Sequence, residues 1–230
     1  MKSLYLWVNL LSIIPPLILS FHPKLQLNKR WSSLWPAILI TAFFYIVWDM
    51  FYTHLGVWGF NPKYLLGEYL VNLPIEEILF FICIPYACIY SYHCIVTLVA
   101  KNYFDKVQRN ISISIIAFSA IIGFIFYDKL YTNIAFILLA VIIALFEFVW
   151  KLKWLARFYF AYLVLLIPFL IVNGILTGTG IEEEIVWYNP DEFMGLRILT
   201  IPFEDIFYGM GMLLISTGLY EFFYHKKLNA

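Results

Sequence analysis

The sequence predicts an all-α, polytopic membrane protein: seven transmembrane helices arranged as two parallel three-helix repeats joined by one linking helix. Three observations lead there. Of 230 residues, 63% are hydrophobic and only 13% charged, against roughly 25% charged in soluble domains. The apolar residues fall into runs near the length a bilayer crossing needs, about 20 residues. One pattern also occurs twice, 128 residues apart and without a gap: Asn61-Pro62-x4-Gly67-x6-Pro74-Ile75-Glu76-Glu77 and Asn189-Pro190-x4-Gly195-x6-Pro202-Phe203-Glu204-Asp205. An internal repeat of this kind sets the architecture before any local argument.

The elements follow in order along the chain. Residues 3–20 are apolar but interrupted by Pro15-Pro16, and no small-residue cleavage site follows, so they read as a retained first span rather than a signal peptide. The second span, 34–53, carries Asp49 near one end. The loop 54–74 holds the first copy of the pattern with Trp58, Tyr64 and Tyr69. The third span, 75–98, opens on Glu76 and Glu77 and contains Cys83, Cys88 and Cys94. An odd number of cysteines without a CxxC suggests neither a disulfide framework nor a metal site, so small packing residues are expected there. The fourth span, 111–127, is divided from the fifth, 132–150, only by Asp128-Lys129. The sixth, 155–173, ends on Asn173. The loop 174–200 holds the second copy of the pattern with Trp187 and Tyr188, and the seventh span, 201–222, opens on Glu204 and Asp205.

Loop charges give the orientation, because Lys and Arg concentrate on the cytoplasmic side. With seven spans, Lys24, Lys29, Arg30, Lys101, Lys106, Arg109, Lys151, Lys153, Arg157, Lys226 and Lys227 share one side. Lys2, Lys63, Lys129 and Arg197 share the other. The N-terminus is therefore expected outside and the C-terminus in the cytoplasm of a bacterial-type cell membrane. Two three-span units can point the same way only if an extra crossing separates them. This gives units 1–99 and 131–230 and a linking helix within 100–130, related by an axis near the membrane normal. Both acidic pairs then open from one face.

Those acids are the first functional candidates, since ionisable groups at the mouth of a membrane helix are costly and default to function. Pro74 and Pro202 suit the first helical position, where a following acid is also favoured by the helix dipole; helix capping is thus the structural alternative. Adjacent helical residues point about 100° apart. One acid of each pair is therefore expected to face the bundle interior and its neighbour the headgroups or a loop, with Glu76 and Glu204 expected inside. Asp49 and Asn173 are rough counterparts, each suiting either a hydrogen-bond partner of the acid pairs or a polar residue at the interface. Arg197 suits either a partner for Glu204 or Asp205 or an exposed rim charge. Glu147 lies four residues before Lys151, the spacing of an ion pair. Asn61 and Asn189 are expected to shape the turn before proline, Gly67 and Gly195 to be backbone positions, and the run Glu182-Glu183-Glu184 to be a solvated loop. Trp58 and Trp187 belong to an aromatic belt or lid.

Several chemistries find no support. Zero net charge gives no case for nucleic acid. Four scattered histidines make no HxxHH cluster, no GxGxxG marks a dinucleotide domain, no DxxxD marks magnesium–diphosphate chemistry, and residues 201–222 contain no lysine for a retinal Schiff base. No cofactor and no metal are expected. Carboxyl groups at the edge of a bilayer remain. An apolar pocket favours the neutral form of a carboxyl, which can then protonate an alkene. Aromatic faces stabilise the resulting cation, and a second carboxylate can take a different proton. Paired acids, aromatics and a dry setting suit acid-catalysed isomerisation or cyclisation of a lipid-soluble polyene.

The seven-span layout, the two P-x-E-[ED] signatures, Trp58-Gly59-Phe60-Asn61-Pro62 and the stretch Gly195-x-Arg197-x-x-Thr200-Ile201-Pro202-x-Glu204-Asp205 resemble the carotenoid lycopene cyclases of the c/d type, over nearly the whole chain. The resemblance implies two small halves fused in one chain and cyclisation of lycopene ends to β-ionone rings without net redox change. It also implies that Glu76, Glu77, Glu204 and Asp205 are the important acids; Asp49, Asn61, Asn173, Asn189, Arg197, Trp58 and Trp187 are supporting candidates from their positions alone. The expected partners are the polyene and membrane lipid. Two other classes use the same features: a proton-coupled transporter or lipid or carotenoid carrier, and a non-catalytic carotenoid-binding scaffold in which the acids only cap helices.

Overall fold

A computed structural model describes residues 2–228. It is an all-α bundle of seven helices: α1 (Leu4–Leu19), α2 (Trp31–Leu55), α3 (Ile75–Leu98), α4 (Gln108–Ile125), α5 (Leu130–Ala144), α6 (Leu155–Leu176) and α7 (Phe203–Leu228). Six are long and apolar enough to cross a membrane, and α1 is a shorter apolar helix. Asp128 and Lys129 do divide α4 from α5. The last turn of α5 widens to a π-helix over Leu145–Val149. Pro15 and Pro16 lie inside α1 and do not end it.

Packing explains why the repeat needs both halves. The first helix of each unit packs on its own third helix: α1 on α3, and α5 on α7. The second helix of each unit also packs on the third helix of the other, α2 on α7 and α6 on α3. The central core therefore draws on helices from both halves. One large apolar cluster runs through the middle, built on Leu34, Ile38, Tyr86, Ile89, Leu139, Ile143, Phe158 and Leu214. Lipid-facing side chains such as Phe43, Phe44 and Phe124 are more than half exposed, as a membrane helix permits.

The loops carrying the repeated pattern fold alike. Each makes a short hairpin just before its helix: β2 (Tyr69–Leu70) with β3 (Leu73–Pro74), and β5 (Arg197–Ile198) with β6 (Ile201–Pro202). The registers are equivalent, Tyr69 opposite Pro74 and Arg197 opposite Pro202. Gly67 and Gly195 have φ of 96° and 85°, a left-handed backbone that glycine adopts without cost. Asn61 and Asn189 shape their turns as expected: each side-chain oxygen accepts from the backbone N–H two residues on, at 3.0 Å in both. Pro74 ends the hairpin and caps α3 with an extended backbone, and Pro202 ends β6 in the same way. The prolines therefore stand one residue before the helices rather than at their first position.

The two loops join each other through β1 (Trp58–Phe60) and β4 (Val186–Tyr188), which pair antiparallel with Gly59 opposite Trp187. Asn61 N–H donates to the Ile185 carbonyl at 2.8 Å, and Asn189 N–H to the Val57 carbonyl at 2.9 Å. Equivalent strands paired antiparallel are what an approximate two-fold axis between the halves produces. Side chains alternate across a strand. Trp58 and Tyr188 accordingly face into the bundle, whereas Trp187 lies outside over Gly59, where any Cβ would collide with its indole.

Candidate functional site

Beneath this strand pair lies a cavity of about 480 Å³ between α1 and α3 of the first unit and α6 and α7 of the second. Its walls are mainly apolar and aromatic, and its carboxyl and amide groups gather at the loop end, Asp49, Glu77, Asn173 and Asp205, with the hydroxyls of Tyr5, Tyr131 and Tyr188. Both acidic motifs contribute to this one space.

All four acids are buried, so Glu76 and Glu204 do lie inside as expected, but their neighbours Glu77 and Asp205 face the cavity rather than the headgroups or a loop. Glu76 and Glu204 are fully buried, but they turn back to hold their own loops. Glu76 Oε1 accepts from the Leu66 amide at 2.7 Å and Glu204 Oε1 from the Met194 amide at 2.8 Å. Thr132 adds a donor to Glu204 at 2.5 Å. It is the second acid of each pair, Glu77 and Asp205, that lines the cavity. The 100° step between neighbours does separate the two roles; the hairpin, which aims the first acid at the loop amide, fixes which is which.

Tyrosines hold the cavity acids. Tyr5 at the start of α1 donates to Glu77 Oε2. Its counterpart Tyr131 at the start of α5 donates to Asp205 Oδ1 at 2.5 Å. Asp205 Oδ2 accepts from Asn173 at 2.7 Å and from Tyr188 at 3.0 Å. Three donors on one carboxyl suit an ionised acceptor. Burial, then the nearby Asp205, push the Tyr188 hydroxyl well above its ordinary pKa, so it stays a neutral donor. Asp49 is 1% exposed, and its Oδ1 accepts from the Trp58 indole while Oδ2 has no partner. Asp49 and Asn173 thus both line the cavity from matched helices, Asn173 bonded to Asp205 and Asp49 bonded to the Trp58 indole.

Aromatic rings close the roof. Tyr208, one helical turn after Asp205, packs edge-on to Trp58 at 6.1 Å and to Tyr131 at 6.0 Å. Tyr131 stacks on Tyr188 at 5.8 Å, and Trp58 meets Tyr131 at 5.1 Å. Phe80, the residue equivalent to Tyr208 in the first motif, lines the opposite wall.

The remaining candidates lie elsewhere. Arg197 is exposed, donates to the Thr200 carbonyl at 2.5 Å and lies 4.9 Å from the Phe193 ring; it touches neither Glu204 nor Asp205. Trp187 is outside the cavity. Asn61 reaches Glu183 at 2.8 Å, and Lys63 pairs with Glu182 at 2.8 Å and Glu183 at 3.3 Å. The acidic run therefore fastens one loop to the other. Glu147 accepts from Gln108 and Ser112, each at 2.9 Å, in place of the expected pair with Lys151.

Sequence reasoning missed Tyr5, Tyr131, Thr132 and Tyr208. A signal existed for the first two: each unit's first helix opens on Leu-Tyr, at Leu4-Tyr5 and Leu130-Tyr131.

The family model described as lycopene cyclase matches residues 2–95 and 128–223, one segment in each half. No curated protein and no solved structure matches the chain.

Proposed function

The chain belongs to the lycopene cyclase family, and from that premise we propose a cofactor-free, acid-catalysed cyclisation of lycopene ends to β-ionone rings. The family makes it an enzyme of carotenoid biosynthesis acting on a lipid-soluble carotenoid, and its helices make it an integral membrane protein. The two matched segments are consistent with the c/d type, two halves in one chain. We read the halves as 1–99 and 131–230 with the linking helix between them. The loop end of the bundle then faces outside, and the C-terminus is cytoplasmic.

Glu77 is the proton donor in this reading. Its carboxyl delivers H⁺ to C2 of the terminal double bond, leaving a tertiary cation at C1. The C5=C6 bond attacks C1, forming the C1–C6 bond and moving the cation to C5. Asp205 then takes the proton from C6, and the C5=C6 bond of the β ring forms. One proton enters and one leaves, so the product is an isomer of the substrate. Trp58, Tyr131, Tyr188 and Tyr208 offer ring faces to the travelling cation, and the Asp205 carboxylate adds electrostatic stabilisation. Asp49 stands beside Trp58 as a further carboxyl of the same space.

The observation that carries this reading is the convergence of Glu77 and Asp205, one from each motif, on a single aromatic-walled cavity. Expression in a bacterial host that accumulates lycopene tests it, with pigments separated by chromatography. γ- or β-carotene is expected without any added cofactor gene. Membranes supplied with lycopene in heavy water should yield one deuteron per ring. Unchanged lycopene with the protein present in the membrane would overturn the substrate, and unlabelled rings the mechanism.

A further inference from the structure

The cavity is a slot rather than a sphere. Along α3 its lining runs from Glu77 through Phe81, Ile84 and Cys88 to Ser91, a distance of about 21 Å at the rise of an α-helix. The carboxyl groups sit at one end only, and the remaining length is mainly apolar, the hydroxyls of Ser12, Ser91 and Tyr162 donating to backbone carbonyls. The slot also has an open side. Leu11 on α1 and Ile171 on α6 line it and are 66% and 62% exposed. Pro168, one turn from Ile171, is likewise both lining and exposed. These side chains bound a gap between α1 and α6, two helices that meet only sparsely. The gap lies along the apolar flank of the bundle, below the loop-end roof formed by β1 and β4.

The equivalent place in the other half is occupied by aromatic rings. With Asp49 and Asn173 as counterparts, Tyr45 and Trp48 stand where Phe169 and Val172 stand on α6. Tyr45 and Trp48 stack on each other at 5.5 Å, and both meet Tyr208 edge-on at 5.2 Å. Tyr45 is 3% exposed. Their rings pack on Tyr208, whereas Phe169 and Val172 line the slot, so the two halves differ at this place despite their two-fold arrangement.

We propose that the polyene is loaded sideways from the bilayer through the α1–α6 gap, end-first, with its terminal group rising to the acids and its apolar chain lying along the slot. This rests on the cyclase reading of the same cavity. A substrate dissolved in lipid then reaches Glu77 and Asp205 without crossing water, and the reacting end stays under the aromatic roof. Leu11 and Ile171 act as the rim of the gap and are not catalytic.

Rim size is therefore the variable to change. Leu11→Trp and Ile171→Trp should each lower kcat/KM for lycopene in reconstituted vesicles at least tenfold. Leu11→Ala and Ile171→Ala should keep or exceed the wild-type value. Phe43→Trp, equally lipid-facing on α2 but away from the slot, should match wild type. Folding is checked by membrane content and melting temperature of each variant. An active wild type with both tryptophan variants at its rate would overturn the lateral route and leave the cyclase reading standing. Equal losses from alanine and tryptophan would also overturn it, because a gate must respond to the sign of the size change. An inactive wild type would instead refute the cyclase reading itself.

Discussion

Tyr131 donates its hydroxyl proton to Asp205 at 2.5 Å, across 74 residues of sequence, and Tyr5 does the same for Glu77 in the other half. The tyrosine opens the first helix of a unit, and the acid opens its third. Each unit thus fastens its two ends together at the cavity, and the acid's direction is set before any substrate arrives.

Removing either hydroxyl leaves a buried carboxyl oxygen short of a donor. Tyr131→Phe and Tyr5→Phe should each lower stability by about 1–3 kcal/mol. The change is read as a lower denaturation midpoint in detergent. Tyr131→Phe should do less to activity than Asp205→Asn, since Asn173 and Tyr188 still hold the other oxygen.

Glu76 and Glu204 should behave as structural acids. Glu76→Ala and Glu204→Ala remove the acceptor of the Leu66 and Met194 amides, at a cost of about 1–3 kcal/mol. Hydrogen exchange at those two amides should accelerate, which a purely catalytic role would not produce.

The loop-to-loop tie should respond to pH. Lys63 holds Glu182 below the ordinary glutamate range, and Asn61, then Lys63, do so for Glu183; Glu182, in turn, raises Lys63. Lowered acids give a tie that is present above the ordinary glutamate pKa and lost as pH falls through the depressed values. A raised lysine gives one present below the ordinary lysine pKa and lost as pH rises beyond it. Exchange at the backbone amides of Asn61 and residues 63–65 should therefore be most protected between those limits once corrected for intrinsic rate. Lys63→Met should flatten the profile.

The span layout and the loop end where the candidate cavity lies were legible because both rest on local or repeated signals. Hydropathy marks the helices, and the doubled Asn-Pro…Gly…Pro-x-Glu pattern marks the loops and acids. The turn roles of Asn61, Asn189, Gly67 and Gly195 follow from residue type alone. What could not be read was helix phase. Glu76 and Glu77 differ only by a rotation, and the hairpin geometry that aims Glu76 at Leu66 has no local signature. Contacts between distant segments were equally invisible: Tyr5 to Glu77, Thr132 to Glu204, and the packing of Tyr45 and Trp48 on Tyr208. Sequence leaves Arg197 open between a partner for the acids and a rim charge, and its exposed side chain, over Phe193, takes the rim position.

The division of labour within each acidic pair is the central claim, and one comparison tests it most directly. Glu76→Gln, Glu204→Gln, Glu77→Gln and Asp205→Asn are expressed in lycopene-accumulating cells and matched for membrane content. The amides at 76 and 204 keep an oxygen for the loop N–H, so those two variants should still form rings. Glu77→Gln and Asp205→Asn should cut ring formation by about 10²–10⁴, leaving lycopene as the pigment. Rings at wild-type yield from Glu77→Gln and Asp205→Asn, with none from Glu76→Gln and Glu204→Gln, would contradict the account.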